Sequence, residues 1–467
     1  MPTRLLITVF LVCLVTGCTQ VRQAVKQPLS NEGELFLYAE PFPQDAIRLE
    51  FSIASIAAIR EDGLQVPLTL AYQRFSPAES QRQRLFASGI LPPGNYNLLA
   101  VAVKEASLMG EEGKGRLLVP EKPHEVRAVF TIRNGKATVV ALDLNYRQSL
   151  AEKISFRPAF NARIPPLPLM ELSGYVTNSD DNTITVFDRH SARVGGMIAT
   201  GRGPTGMVLD QVRQKGYVAL SGEDAVAVLD LKENDFIDRI RLLAGDNPQF
   251  MALTPDGRLA ITANKGSNTA SIVDIPSRVE IARVQVGNGP EYVLMDRTGS
   301  RAFVFNRQAS SISVIDMNKM LVSATLSTEL SPVFGQINRK GDTLYVFYEM
   351  SPYLLAYSLD TLAAAKRIEV GPGTSALKLN PSTDKLYVGS RYGGAINVYN
   401  QYSLIPIEFL FVKEGVGYMT IDGEDNNLLA VLPRNRLLKL INLISKRERG
   451  VADTGAGPYC AVVFSER

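Results

Sequence analysis

The side chains that most often act as bases, nucleophiles or soft metal ligands are scarce here: two histidines and three cysteines in 467 residues. Nucleophile and base chemistry calls for a histidine or an equivalent base within reach of the nucleophile. His190 stands in a turn signal, Asp188-Arg-His-Ser191, and His124 lies far upstream. Cys460 has no histidine near it in sequence and reads as a small buried hydrophobe. Cys13, Cys18 and Cys460 form neither a C-x-x-C zinc pattern nor a CxxCH haem-attachment site, so no cofactor is indicated. The acidic turns Asp180-Asp181 and Asp422-Gly-Glu-Asp425 lack the EF-hand spacing, so no metal is assigned to them. What remains is carboxylates (Asp180, Asp181, Glu223, Asp224), arginines (Arg307, Arg391, Arg434) and aromatic rings (Phe250, Tyr292, Phe334, Tyr418). Brought together, these would bind a polar or zwitterionic partner, or form a carboxylate-and-arginine hydrolytic site.

The elements that position them follow from a repeat. A β-rich segment containing Tyr175 returns at Tyr217, Ile261, Phe303, Tyr345, Tyr387 and Leu429, with spacings of 42, 44, 42, 42, 42 and 42 residues. Thirteen residues after each comes a small polar residue closing a second run: Asp188, Asp230, Asp274, Asp316, Ser358, Asn400 and Asn442. A Gly-x-Gly-Pro-like turn keeps the same register at Pro204, Pro248, Pro290, Pro332, Thr374, Val416 and Pro458. The two extra residues are expected near Leu231 to Asp235. Each unit holds four strand candidates, which in the third unit are Gln249 to Leu253, Arg258 to Ala263, Ala270 to Asp274 and Val279 to Val286. Four short strands per unit of 40 to 45 residues predict a β-propeller. The chain enters at the second strand of a blade and ends on an innermost-strand sequence, Tyr459 to Phe464. Seven blades, with the C-terminal strand completing the first, occupy residues 173–467.

Tyr175-Val-Thr-Asn178, Ile261-Thr-Ala-Asn264 and Phe303-Val-Phe-Asn306 resemble the repeat of the YVTN β-propeller family. The resemblance spans Gly174 to the C-terminus, and units five to seven depart from it where Ser358, Asn400 and Asn442 replace Asp. It implies a secreted or surface-associated protein and no particular chemistry.

In a propeller, the turns into each innermost strand and the loops between second and third strands share one face, because successive antiparallel strands reverse direction. Asp180, Asp181, Glu223 and Asp224 make the loops of units one and two acidic, and Arg307, Arg391 and Arg434 make those of units four, six and seven basic. Phe250, Tyr292, Phe334 and Tyr418 occupy one repeat position, shared with Gly206, Ala376 and Cys460. They either ring the channel mouth and stack on a ligand or pack between blades as core.

Residues 34–148 read as a β-sandwich of short strands. Alternation of Val126, Ala128, Phe130 and Ile132, then Asn134-Gly135, then Ala137 to Leu144 is a hairpin signal. Residues 149–172 carry Pro158, Pro165, Pro166 and Pro168 and read as a linker.

The chain begins with Arg4, an apolar run from Leu5 to Val15, and Val15-Thr16-Gly17-Cys18, a secretory pattern too short to span a membrane. That segment resembles the bacterial lipobox, which implies a signal of residues 1–17, an acylated Cys18 and a tether of residues 18–33. Thr19 in place of Asp implies sorting to the outer membrane. Net charge is +3, from 50 basic and 47 acidic residues, which excludes a global field for nucleic acid. The expected function is a lipid-anchored cell-envelope binding or scaffold protein whose partners are the membrane and an envelope protein or polymer. The alternative is a propeller hydrolase of lactonase type.

Overall fold

The computed structural model describes residues 26–464, without 77–80, 112, 152–153, 350, 381, 403–404 and 425. Cys18 and the expected signal lie outside these residues, as does Asp425.

From Ser173 to Val463 the chain forms seven antiparallel four-stranded sheets. Six are contiguous. The first is completed by Pro458–Val463, which pairs with Ser173–Asn178 as the innermost strand of blade 1. The expected all-β fold with a seven-bladed propeller, closed by the C-terminal strand, is the observed one. Blade 3 has strands Pro248–Leu253, Leu259–Asn264, Thr269–Asp274 and Val279–Gln285, each within a residue or two of the sequence reading.

The landmarks have separate physical causes. Asn178, Asn264 and Asn306 end second strands and are fully buried. Each donates through Nδ2 to two hydroxyls on the third strand, as Asn264 does to Thr269 and Ser271 at 3.1 and 2.7 Å. The small polar residue ending each third strand caps the following turn. Asp188 Oδ1 accepts from the His190 and Ser191 amides, and Asn442 Oδ1 from those of Ile444 and Ser445. Either an aspartate or an asparagine meets that need, so the change of residue type in later blades leaves the turn intact.

The two-residue insertion is not at Leu231 to Asp235, where the turn has the same length as in blade 3. It lies in residues 242–247, between Asp235–Arg241 and Pro248–Leu253. The longer turn folds around Asp246, which is buried and bonds Arg283 at 2.6 and 2.8 Å and the Leu243 amide at 2.9 Å.

The N-terminal domain, expected as a β-sandwich, is instead one ten-stranded sheet curled on itself. Strand Gln65–Leu70 joins its halves, pairing with Leu49–Arg60 through Gln65 to Leu68 and with Arg84–Leu91 through Thr69 and Leu70. Gly135 takes the positive φ expected of the Asn-Gly turn, 66°. The flanking strands do not form a hairpin, however. His124–Ile132 pairs with Gly94–Gly110, and Ala137–Leu144 pairs in parallel with Gly33–Ala39. Strand His124–Ile132 buries one face alone, whereas Val139 to Leu142 are buried on both faces. Ala137–Leu144 is covered on both faces because Val140, Leu142 and Leu144 point into the core of the curled sheet and Val139 packs on the propeller, and it pairs between Gly33–Ala39 and Phe160–Arg163. Phe160–Arg163, in the stretch read as linker, thus belongs to this sheet.

The curled sheet packs on the rim of blades 7 and 1, where the ring closes. Phe36, Tyr38, Leu85 and Val139 share a core with Val194, Met197 and Ala452. Asp453 ties the junction by accepting from Arg82 (2.5 Å), Arg84 (3.0 Å) and the Leu85 amide (2.9 Å). Buried Glu40 is held by Arg163 at 3.0 Å and by Arg193.

Candidate functional site

A cleft of about 380 Å³ opens on the loop face. Its floor is the repeat position occupied by rings. Phe250 and Tyr292 lie with centroids 4.6 Å apart, Tyr292 and Phe334 at 4.0 Å, Phe334 and Tyr418 at 5.9 Å, and Phe250 and Tyr418 at 6.4 Å. Four innermost strands thus send one ring each to the axis, and the rings close the channel into a blind cleft. The two alternatives left open by the sequence are met together: the rings are core by contact, and their upper faces line the cleft.

Small residues at the other three equivalent positions make this possible. A Cβ on Gly206 would lie 2.8 Å from the Phe250 Cα. The axis has room for four rings, and Gly206, Ala376 and Cys460 leave it to them. Cys460 is fully buried, in keeping with its reading as a small hydrophobe.

The walls are unlike in charge. Arg391 and Arg434 project from the loops of blades 6 and 7 beside Pro433 and Gly415 to Gly417. Neither guanidinium makes an ion pair among the described residues. Arg434 lies over the exposed ring of Tyr392, 5.4 Å from its centroid. Across the cleft, Glu291 is bonded by Lys265 and Arg307, each at 2.7 Å. Burial works to raise its carboxyl, but the hydrogen bonds from Lys265 and Arg307 outweigh this and hold it below the usual carboxylate range. Arg307 also bonds Glu349 at 3.0 Å, so its charge is compensated twice. Tyr459 and Ser179 complete the rim on the blade 1 side.

The acidic residues of blades 1 and 2 serve neighbouring turns. Asp224 accepts from the Gly245 and Asn247 amides at 2.8 and 2.7 Å, and Asp181 accepts from the Ala456 amide. Glu223 takes the Arg202 amide at 2.9 Å and the Arg239 guanidinium at 2.7 Å. Asp180, bonded to Ser179 Oγ at 3.0 Å, is the member of this group next to the rim. The same latch is made by Asn182 to Gly203 and by Asn268 to Gly289. Asn182, Asp224 and Asn268 share a repeat position and a φ of 50 to 56°, a conformation that asparagine and aspartate tolerate. That shared position was the available signal for a turn-holding role.

Six of the eleven residues singled out from the sequence therefore meet at one cleft: Phe250, Tyr292, Phe334, Tyr418, Arg391 and Arg434. Arg307 stands one contact away, through Glu291. Sequence reasoning missed Glu291, Lys265 and Tyr459. Neither histidine lines the cleft: His124 begins a strand of the curled sheet, and His190 lies in a turn on the opposite face of the propeller. Among the described residues no group of three or more His, Cys, Asp or Glu side chains is placed to hold a metal. A larger groove of about 630 Å³ runs along the domain junction, bridged by Lys136 and Asp235.

No protein-family model matches the chain, and no curated protein matches it in sequence. Solved structures do match in fold. One is Kuenenia stuttgartiensis hydrazine synthase, at a TM-score of 0.53 and 15% identity, covering 60% of this chain and 96% of that one. Another is the dihydro-heme d1 dehydrogenase NirN in complex with DHE, at a TM-score of 0.51 and 12% identity, covering 64% of this chain and 77% of that one. The fold is what they share. The chain is a seven-bladed β-propeller carrying a curled N-terminal sheet.

Proposed function

We propose that this is a lipid-anchored protein of the cell envelope, sorted to the outer membrane, whose propeller binds a protein or polymer partner through its loop face. The cleft receives an anionic group of that partner. The supporting observation is the pair Arg391 and Arg434, two guanidiniums without ion-pair partners among the described residues, set above a floor of four rings. Guanidinium forks match carboxylate and phosphate geometry, and ring faces stack on sugars or planar groups. The volume suits one such unit, at the small end of ligand sites. Support for the anchor is the Val15-Thr16-Gly17-Cys18 segment behind its apolar run. No helix among the described residues is long and apolar enough to cross a membrane.

The test is calorimetric titration of the full chain with acidic and neutral envelope polysaccharides, together with cross-linking from the cleft rim in intact cells. Binding that is selective for the acidic polymer, or a cross-linked partner, in either case weakened by Arg391→Gln and Arg434→Gln, supports the reading. No binding by either route removes it. Intact mass of the mature protein, with and without Cys18→Ala, tests acylation.

Glu291, set between Lys265 and Arg307 at the rim, favours a second reading: lactonase-type hydrolysis by a carboxylate and arginines. Turnover of a lactone panel that Glu291→Gln abolishes would support it.

A further inference from the structure

The propeller supplies its own standard for an uncovered rim. Phe409 and Phe411, on the outermost strand of blade 6, occupy the repeat positions filled in blades 2 to 5 by Arg239 and Arg241, Arg283 and Gln285, Thr325 and Ser327, and Arg367 and Glu369. Those pairs are polar. At the same positions the blades beneath the curled sheet carry Met197 and Ala199, and Val451 and Asp453. Met197 lies in the core shared with Phe36 and Tyr38, and Asp453 is bound by Arg82 and Arg84. Blade 6 is thus written like a covered blade, yet Phe409 is 66% exposed and Phe411 68%. Ile405 and Ile407, also exposed, precede the pair across a bulge in this strand, while Leu410 faces inward and is buried.

Position says what covers it. Phe411 pairs with Ala395, just past the loop that carries Arg391 and Tyr392, so the row reaches the loop face. Arg391, Lys413 and Arg434 stand at this corner with no ion-pair partner among the described residues. The nearby Glu414 is taken by Lys439 at 2.8 Å. A second copy of the chain would set these cations against their own kind. A surface of anionic headgroups over an apolar interior complements both features.

The start of the described chain points the same way. The Lys26 carbonyl accepts from Asn182 Nδ2 at 2.6 Å, so the tether leaves the fold at the blade 1 loop on this face. Eight residues back to Cys18 reach at most about 29 Å. We infer that the blade 6 corner of the loop face docks on an anionic lipid bilayer, with Phe409, Phe411 and Tyr392 entering the headgroup zone and Lys413 meeting its charge. This inference rests on the lipid anchor proposed above.

The chain has no tryptophan, so Phe411→Trp introduces a single reporter, and Val212→Trp, at a fully exposed turn on the opposite face, is its control. The full acylated chain is reconstituted into vesicles of phosphatidylcholine with or without phosphatidylglycerol, carrying brominated acyl chains. Docking predicts a blue-shifted indole at Phe411→Trp, quenched by bromine several-fold more than the control and more with phosphatidylglycerol, an excess that Lys413→Gln reduces. A water-like, unquenched indole on vesicles that carry the anchored protein overturns the docking while leaving the anchor standing. A blue shift without quenching assigns the row to a protein neighbour and also overturns it. If the mature chain proves unacylated, flotation reads the corner directly. Phosphatidylglycerol-dependent flotation lost in Phe409→Ser/Phe411→Ser then upholds the docking, and no flotation overturns it.

Discussion

Arg189 of blade 1 places Nη1 2.6 Å from Asp422 Oδ1 of blade 7, and both side chains are buried, on the face opposite the cleft. The pair staples the three N-terminal strands of blade 1 to blade 7, beside the seam where Ser173–Asn178 meets Pro458–Val463 through hydrogen bonds alone. Arg189 also bonds Glu424 and the Glu171 carbonyl, so its donors are spread over three acceptors.

Removing Asp422 leaves the buried Arg189 guanidinium with Glu424, more than half exposed, still beside it. Asp422→Ala is therefore expected to cost about 3 kcal/mol, the low end for a broken buried pair. Urea unfolding followed by circular dichroism should show the loss. The double variant Arg189→Met/Asp422→Leu should recover most of it, because two apolar side chains of similar volume leave no buried charge. Equal losses in the single and double variants would show that packing, and not charge, closes the ring.

Gly206→Ala tests the floor of the cleft. The new methyl would stand 2.8 Å from the Phe250 backbone, which cannot yield as a flexible side-chain end would. Overpacking of this kind costs about 1–3 kcal/mol. Phe250 is expected to tilt and to loosen its contact with Tyr292, which would appear in the aromatic circular dichroism bands. An unchanged aromatic spectrum would mean that the four rings are not packed against blade 2.

Much of the propeller was legible because three landmarks kept one register, and each has a local cause: the buried Asn178-type amide, the Asp188-type turn cap and the turn before each innermost strand. Such causes act within about ten residues and leave a direct trace in sequence. Partner choice does not. Gly135 took the positive φ of the expected turn but Asn134 did not, and turn chemistry does not say that the flanking strands must pair with each other. The insertion was misplaced because both stretches carry turn-forming residues, Lys232 to Asp235 in one and Gly245 to Asn247 in the other. It took the bonds of Asp246 to separate them. At the site, the rings and arginines were visible as repeat positions. The role of Asp181 and Asp224 was not, since a carboxylate that holds a backbone amide and one that waits for a ligand are written with the same letter.

Arg391 and Arg434 stand at the surface, so changing them should spare the fold while changing the cleft. Arg391→Gln and Arg434→Gln are each expected to move unfolding stability by no more than about 0.5 kcal/mol. A hydrogen bond to a charged group contributes about 1.5–3 kcal/mol, so each variant should weaken binding of an acidic ligand by roughly 10- to 100-fold. Affinity that falls as salt is raised, with a shallower dependence in each variant, separates a charge contact from a packing effect. Equal affinity in parent and double variant would place the anion elsewhere on the face.

Glu34 links the exit of the tether to pH. Burial, opposed by its 2.6 Å bond to Lys26, raises its carboxyl from 4.5 to about 7. Between those values the folded chain holds a proton that the unfolded chain has released, so stability falls as pH rises through this window and levels off above about 7. The whole fall corresponds to about 3 kcal/mol. Unfolding midpoints for the full chain from pH 4 to 8 should show it, and Glu34→Gln should remove that part of the slope. Lys26→Gln takes away the cation that opposes burial, so it should carry the fall to higher pH. A Glu34→Gln profile parallel to that of the parent would show that the carboxyl ionises freely in the folded chain, with the tether leaving the loop face independently of it.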